Sequence, residues 1–303
     1  MTNSNELRGV INIYKEPGYT SHDVVAIVRK IVGTKKVGHT GTLDPNAEGV
    51  LPVCIGRVTK FADYLAAENK TYVADLILGI TTDTGDISGN VLTRCKTGLD
   101  FDKGVVEKAT LSFLGEYLQT PPMYSAIKIG GKKLYELARK GVTVERKPRP
   151  VVIHDIQITG ALPDGYRLEV SCSKGTYIRS LCEDIGAMLG CGATMGRLLR
   201  TRSGQFDIGT ATKLEDVKIA TENGRLAELC LPIEQILPYP TCRVKPSGVA
   251  WAVNGNPLPM DLIEGDFSGG NGINHDKCWL WGDGRIIGLF AKASEKLCPE
   301  VML

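Results

Sequence analysis

The stretch GHTGTLDPNAEGVLPVCIGRVTK, residues 38–60, sets one carboxylate, Asp44, in a loop of glycines, threonines and a proline, then turns apolar. A loop of this kind needs strands beside it to hold it still. VLPVCIGR (50–57) is an apolar run of the right length for a buried strand. Upstream, GVINIYK (9–15) reads as a strand and EPG (16–18) as a turn. Thr20 or Ser21 then caps a helix with Val24, Val25, Ile27, Val28, Ile31 and Val32 on its apolar face, and Gly33 ends it. Downstream, VTKFADYLAA (58–67) has a helical pattern. TYVADLILGI (71–80) alternates as a strand, with Tyr72, Ala74, Leu76 and Leu78 on one face, and a turn-rich loop follows at 81–90.

The pattern continues with a helix over about 102–114 and a Pro- and Gly-framed segment, 119–141, that holds the helical turns LYELARK. Adjacent strands follow at 151–160 and 166–173, an amphipathic helix at 176–189, a strand at 198–208, and one or two short helices in 214–237. LPYP (237–240) reads as a linker. Beyond it, VAWAV, CWLW and RIIGLFAKA, with the turn-rich EGDFSGGNGINHD (264–276), predict a small all-β module. Strands and helices intersperse without regular βαβ crossovers. The expected class is therefore α+β, a mixed and largely antiparallel sheet flanked by helices. The expected units are 1–236 and 237–303, two in number as 303 residues suggest at roughly 150 per domain.

Composition excludes several functions. No apolar run reaches the roughly 18–20 residues of a membrane span. The N-terminus lacks a basic start followed by an apolar stretch, so a cytoplasmic location is expected. The nine cysteines form no C-x-x-C pair and have no zinc spacing with the four histidines; reduced, buried thiols and no metal site are expected. Net charge is only +2, but Lys128 to Arg149 carries eight basic residues against Glu136 and Glu145. A second basic set is Arg197, Arg200 and Arg202. Such local runs in a near-neutral chain point to a polyanion partner.

No phosphate-binding G-x-x-x-x-G-K-[ST], dinucleotide G-x-G-x-x-G or nucleophile elbow G-x-S-x-G is present. Asp83-Thr84-Gly85 would suit an aspartic protease only with a second such loop, and reads as a turn. Asp44-Pro45 alone is also an ordinary turn former. KGTYIRSLCEDIG (174–186), however, places Arg179 on a helix just after a strand, where it can hold a carboxylate bidentately. KTYVADLILG (70–79) offers Tyr72, with a flat face and a hydroxyl.

Taken in order, GHTGTLDPNAEGVLPVCIGRVTK, KTYVADLILGITTDTGD, QTPPMYSAIKIGGKKLYELARKG and CSKGTYIRSLCEDIG closely resemble the tRNA pseudouridine synthases of the TruB type, over about residues 8–210. The C-terminal stretch resembles the PUA-like RNA-binding module of bacterial members. The resemblance implies the pseudouridine synthase fold and isomerisation of uridine 55 in the T-arm loop of tRNA, without metal or organic cofactor. It makes Asp44 the catalytic residue, acting either by attack on C1′ or by removal of the C2′ proton.

Tyr72 would stack on uracil, Leu198 would line a dry wall, and Arg179 would keep Asp44 ionised by lowering its pKa, typically by roughly 1–3 units. His39 would support the stack vacated by a flipped base. The RNA grip would be the segment of about 120–149, through Tyr124, Lys128, Lys132, Lys133, Arg139, Lys140, Arg146 and Arg149. Gly38 and Gly41 are expected to supply positive φ and close backbone approach, and Pro45 to stiffen the turn. One residue departs from the pattern: Glu48 stands where the family often carries Thr or Ser, and is expected to point to solvent. The expected partner is tRNA and the expected state a monomer. Other readings are an RNA chaperone without chemistry, or a synthase for another RNA, such as a small-RNA-guided relative.

Overall fold

The computed structural model describes residues 7–95, 102–265 and 276–303. The chain opens with β1 (Gly9–Lys15). Helix α1 (Ser21–Val32) starts at a reciprocal cap: the Asp23 N–H donates to the Thr20 hydroxyl, and the Asp23 carboxylate accepts from the Thr20 N–H. It ends at Gly33, whose φ of 67° suits the left-handed stop. Strands β2 (Val37–His39) and β3 (Glu48–Ile55) pair antiparallel, His39 opposite Val53. The Asp44 loop is therefore the connection of a hairpin, and β1 flanks β3 on its other edge.

A 3-10 turn over Gly56–Phe61 leads into α2 (Ala62–Ala66), so the expected helix 58–67 is two short pieces. Strand β4 (Lys70–Leu78) buries every second residue, from Lys70 to Leu78. The expected loop at 81–90 joins a small hairpin, β5 (Ile80–Thr82) with β6 (Val91–Arg94). Next come α3 (Lys103–Leu111) and β7 (Gly115–Gln119), then a two-rung hairpin of β8 (Lys128–Ile129) and β9 (Lys132–Lys133), and α4 (Leu134–Ala138). The long antiparallel pair β10 (Arg149–Leu162) and β11 (Gly165–Cys172) precedes α5 (Ile178–Met188). Strand β12 (Ala193–Ser203) starts five residues before its expected start and stops before Gly204, where it turns into β13 (Phe206–Asp207). β14 (Thr212–Lys213), α6 (Leu214–Glu222) and α7 (Ile233–Ile236) complete this part.

The main sheet runs β14-β1-β3-β12-β4-β11-β10-β7. Its neighbours are antiparallel except β1 with β14 and β3 with β12, among the described residues. The mixed, largely antiparallel α+β sheet is thus the observed architecture. Its central strands carry the site: β3 leaves the Asp44 loop, β4 bears Tyr72, and β12 bears Leu198 and Arg200. One face packs on α1 and α5 through Val24, Val28, Leu181 and Ile185, all fully buried.

The C-terminal sheet is built from β15 (Thr241–Val244), β16 (Leu258–Pro259), β17 (Ile263–Glu264), β18 (Lys277–Gly282), β19 (Arg285–Ala293) and β20 (Lys296–Met302). VAWAV does not form a strand here. It is a short helix, α8 (Val249–Val253), entered through a 3-10 turn that Pro246 begins. Ala252 is buried while Trp251 is 54% exposed, so its burial pattern is not that of alternation. A five-residue apolar run does not distinguish the two periods. Most of the turn-rich stretch at 264–276 lies outside the described residues. Trp279 inserts between the two sheets, 5.3 Å from the Phe61 ring, and donates its indole N–H to the Leu237 carbonyl at 2.8 Å. Seven of the nine cysteines are buried, and no disulfide joins any of them.

The positive φ falls on Gly49 (106°), not on Gly38 or Gly41. A Cβ at Gly49 would lie 2.2 Å from the Arg200 carbonyl oxygen, because β3 and β12 approach in parallel there. Gly49→Ala is therefore expected to destabilise the fold by about 3 kcal/mol, from backbone strain plus overpacking. Urea denaturation checks this, and an unchanged midpoint would show that the strand relaxes around the methyl group.

Candidate active site

Asp44 sits where four chain segments converge. The Arg179 Nε lies 2.9 Å from its Oδ2, and Nη2 donates to Oδ1 at 3.3 Å. The same guanidinium donates to the Thr84 carbonyl at 2.9 Å and the Tyr124 carbonyl at 2.8 Å. Arg179 is only 4% exposed, while the Asp44 side chain keeps 37%, facing the cavity. The Asp44 loop is pinned from below as well. The Ser21 hydroxyl bonds both the N–H and the C=O of Leu43. Lys15, fully buried, donates to the carbonyls of Pro45, Tyr19 and Glu16. Pro45 thus contributes an acceptor as well as a stiff turn.

A cavity of about 690 Å³ opens above Asp44. Tyr72, Leu198, Tyr124 and Arg179 line it, as do Lys133 and Arg139 from the basic segment. Lys133 and Arg139 both lie over the Tyr135 ring, each 5.4 Å from its centroid. That ring forms part of the same wall. Lys128, Lys132, Lys140 and Arg149 are exposed away from the cavity, and Arg146 braces the segment by donating to the Pro121 carbonyl at 3.0 Å. His39 does not reach the cavity wall. His22 does, and the two rings meet edge to face at 5.4 Å.

One family model, the N-terminal domain of the TruB family pseudouridylate synthases, matches residues 29–178, and the tRNA pseudouridylate synthase B C-terminal domain matches 179–238. A tRNA pseudouridine synthase B from Alkaliphilus oremlandii is 50% identical over 258 residues, 85% of each chain. The chain belongs to the TruB family. The tRNA pseudouridine synthase B of Bacillus subtilis is 44% identical over 236 residues, 76% of each chain. Among solved structures, a Cbf5-Nop10-Gar1 complex aligns with a TM-score of 0.71 at 28% identity, covering 97% of this chain and 84% of that one. An H/ACA RNP bound to a substrate RNA containing 2′-deoxyuridine aligns with a TM-score of 0.69 at 25% identity, covering 99% and 91%.

Several side chains of this TruB-family site depart from their sequence expectation. Burial raises the Asp44 pKa and outweighs Arg179, which pulls it down; nearby Asp86 pushes the same way as burial. The net direction is upward, opposite to the effect of the cation alone. Glu48 does not point to solvent. Its side chain is 15% exposed, accepts from the Tyr14 hydroxyl at 2.6 Å and pairs with Arg197 at 2.6 Å, so the extra carboxylate is neutralised on the far side of β3. Burial pushes Glu48 up, but those two partners hold it below its usual range.

The second basic set also divides. Arg197 pairs with Glu48 and Arg202 with Asp207, while Arg200 is 1% exposed and lines the cavity. Sequence reasoning missed Lys15, Ser21 and the buried role of Arg200. The signal for Arg200 was its place two residues after Leu198 on one strand, hence on the same face.

The N–H of Gly41 donates to His39 Nδ1 at 3.2 Å, so the neutral ring carries its proton on Nε2. Burial, with His22 and Arg200 nearby, draws the His39 pKa down to about 4. The unfolded chain takes up this proton first, at the ordinary 6.5 or so. The stabilisation is whole above that pH and is lost as pH falls from 6.5 to 4. His39→Gln is expected to flatten the fall in stability across that window. Parallel urea melts between pH 7 and 4 read it directly, and equal slopes in both proteins would contradict the assigned ring state.

Proposed function

We propose that this chain isomerises uridine 55 in the T-arm loop of tRNA, with Asp44 as the catalytic carboxylate. Conversion of uridine in tRNA to pseudouridine comes with membership of the TruB family. The observation that carries the residue assignment is a carboxylate held bidentately at the base of a cavity large enough for a nucleoside. The identity of about 50% to a tRNA pseudouridine synthase B, against 28% to the Cbf5-Nop10-Gar1 complex, supports tRNA as the substrate.

The chemistry explains why one carboxylate suffices. Glycosidases use a pair because a water must be activated and a leaving group protonated. Here the N1–C1′ bond breaks, and its electron pair departs with uracil as a delocalised anion. The base stays in the cavity, turns, and rejoins C1′ through C5; the C5 proton then leaves. Asp44 either bonds to C1′ or takes the C2′ proton, and both routes start from its ionised form. Arg179 opposes the effect of burial and so keeps that form available. Tyr72 stacks on uracil, with its hydroxyl placed for the C5 proton. Leu198 keeps the wall dry, which strengthens the Asp44–Arg179 attraction.

His39 acts through His22, whose ring it meets edge to face and which lines the cavity, to support the stack vacated by the flipped base. The basic segment 120–149 grips the backbone of a splayed loop, and the module from 237 onward adds a second RNA surface. We take the protein to be a cytoplasmic monomer with units 1–236 and 237–303.

Tritium release from tRNA labelled at uridine C5 tests the assignment. Asp44→Asn is expected to lose about 10³-fold or more in rate, with release by the wild type confined to one T-loop uridine. Wild type that binds RNA but releases nothing would favour the chaperone reading. The pH–rate profile is expected to show an acid limb above the ordinary carboxylate value, activity falling as Asp44 protonates. Arg179→Gln moves that limb to higher pH, because its charge opposes the rise. Finally, Lys132→Ala with Arg139→Ala is expected to weaken tRNA binding and to reduce the salt slope by roughly 0.7 per lost phosphate contact, with Kd read against salt concentration.

A further inference from the structure

A buried guanidinium usually brings a carboxylate with it, since an unpaired charge out of water is costly. Arg200 is 1% exposed, and among the described residues no carboxylate forms an ion pair with it. Its partners are carbonyl oxygens. Nε donates to Val50 at 2.7 Å and Nη2 to Gly41 at 3.3 Å. These two residues flank Asp44 on either side of the loop. Across the sheet Arg200 stands directly opposite Tyr72, both side chains line the cavity, and the guanidinium charge acts on the tyrosine hydroxyl. It therefore bears on both arms of the site while no carboxylate pairs with it.

We propose that Arg200 is a positioning residue of the isomerisation, clamping the Asp44 loop from both sides and stabilising, through Tyr72, the uracil anion that forms in the cavity. This rests on the reading that uracil stacks on Tyr72. Neutral uridine offers the guanidinium no charge. Once the N1–C1′ bond breaks and its electron pair spreads over the ring oxygens, the attraction appears. An interaction present only at that stage raises kcat and leaves KM nearly unchanged. Two other cations near the site are less suited. Lys15 and Lys70 are both buried, and burial draws each down to about 8, so they can shed their charge. A guanidinium cannot.

The test compares Arg200→Met and Arg200→Lys in single-turnover assays on two tRNA transcripts, with uridine or 5-fluorouridine at the target. Loss of the starting nucleoside is followed in digests. Fluorine at C5 withdraws electrons and makes uracil a better leaving anion. Arg200→Met is expected to lose about 10²- to 10³-fold on uridine, the range for one preorganised donor. It should bind tRNA within about 3-fold of wild type, and its deficit should shrink by about 5-fold or more on 5-fluorouridine, where less stabilisation is needed. Arg200→Lys, which keeps a charge but loses the fork, should recover part of the loss.

Equal deficits on the two substrates would overturn the proposal, because a merely structural role does not sense the leaving group. Should thermal melting show Arg200→Met unfolded, the two-substrate ratio of Arg200→Lys decides in the same way. A wild type that leaves uridine unchanged would defeat the underlying reading, an outcome seen before any variant is compared.

Discussion

Arg179 and Asp44 lie 135 positions apart in sequence, and their ion pair organises everything around it. One guanidinium satisfies its donors on the Asp44 carboxylate and on carbonyls from the turn at Thr84 and the segment at Tyr124. Helix α5, the β2–β3 hairpin, the β5–β6 hairpin and the start of the basic segment therefore meet at a single planar ion. The geometry suits arginine, since its fixed fork addresses several acceptors at once while lysine is a point charge. The arrangement also explains why the site sits at strand ends: Asp44, Thr84 and Tyr124 each lie within five residues of a strand.

Burial sets the electrostatic character of the pocket. Taking Asp44 out of water raises its pKa, and the nearby cations only partly reverse this. Lys70, Arg179 and Arg200 are buried around one cavity and Lys15 beneath the Asp44 loop, their remaining donors given to backbone oxygens. Such a site costs folding stability, because carbonyl dipoles compensate a charge less well than an anion does. The same deficit favours an electron-rich occupant, so the expense in folding and the preference in binding have one origin.

Much of this fold was legible in the sequence. The cap at Thr20 or Ser21 and the Gly33 stop framed α1 within a residue. The alternation from Tyr72 to Leu78 gave β4 its buried face. VAWAV was not legible, since five apolar residues fit either period, and the burial of Ala252 beside exposed Trp251 follows from the sheet it leans on. The components of the site were visible only as motifs of a resembling family; composition and spacing do not say that Arg179 meets Asp44. Spacing from Leu198 sets Arg200 apart from Arg197 but not from Arg202. That distinction arises when β12 takes a place between β3 and β4, with one face turned toward Tyr72. Glu48 was misread because its partners, Tyr14 and Arg197, come from two other strands. The upward pKa of Asp44 is a property of the enclosing walls, which no local pattern encodes.

The packing of Trp279 between Phe61 and Tyr239, with the Arg57 guanidinium donating to the Leu303 carbonyl at 2.7 Å, joins the two sheets in one packed seam. Val50, on the strand that leaves the Asp44 loop, and Val10, on the neighbouring β1, belong to that same seam. A substitution at Trp279 therefore bears on the strands behind the cavity as well as on the C-terminal sheet.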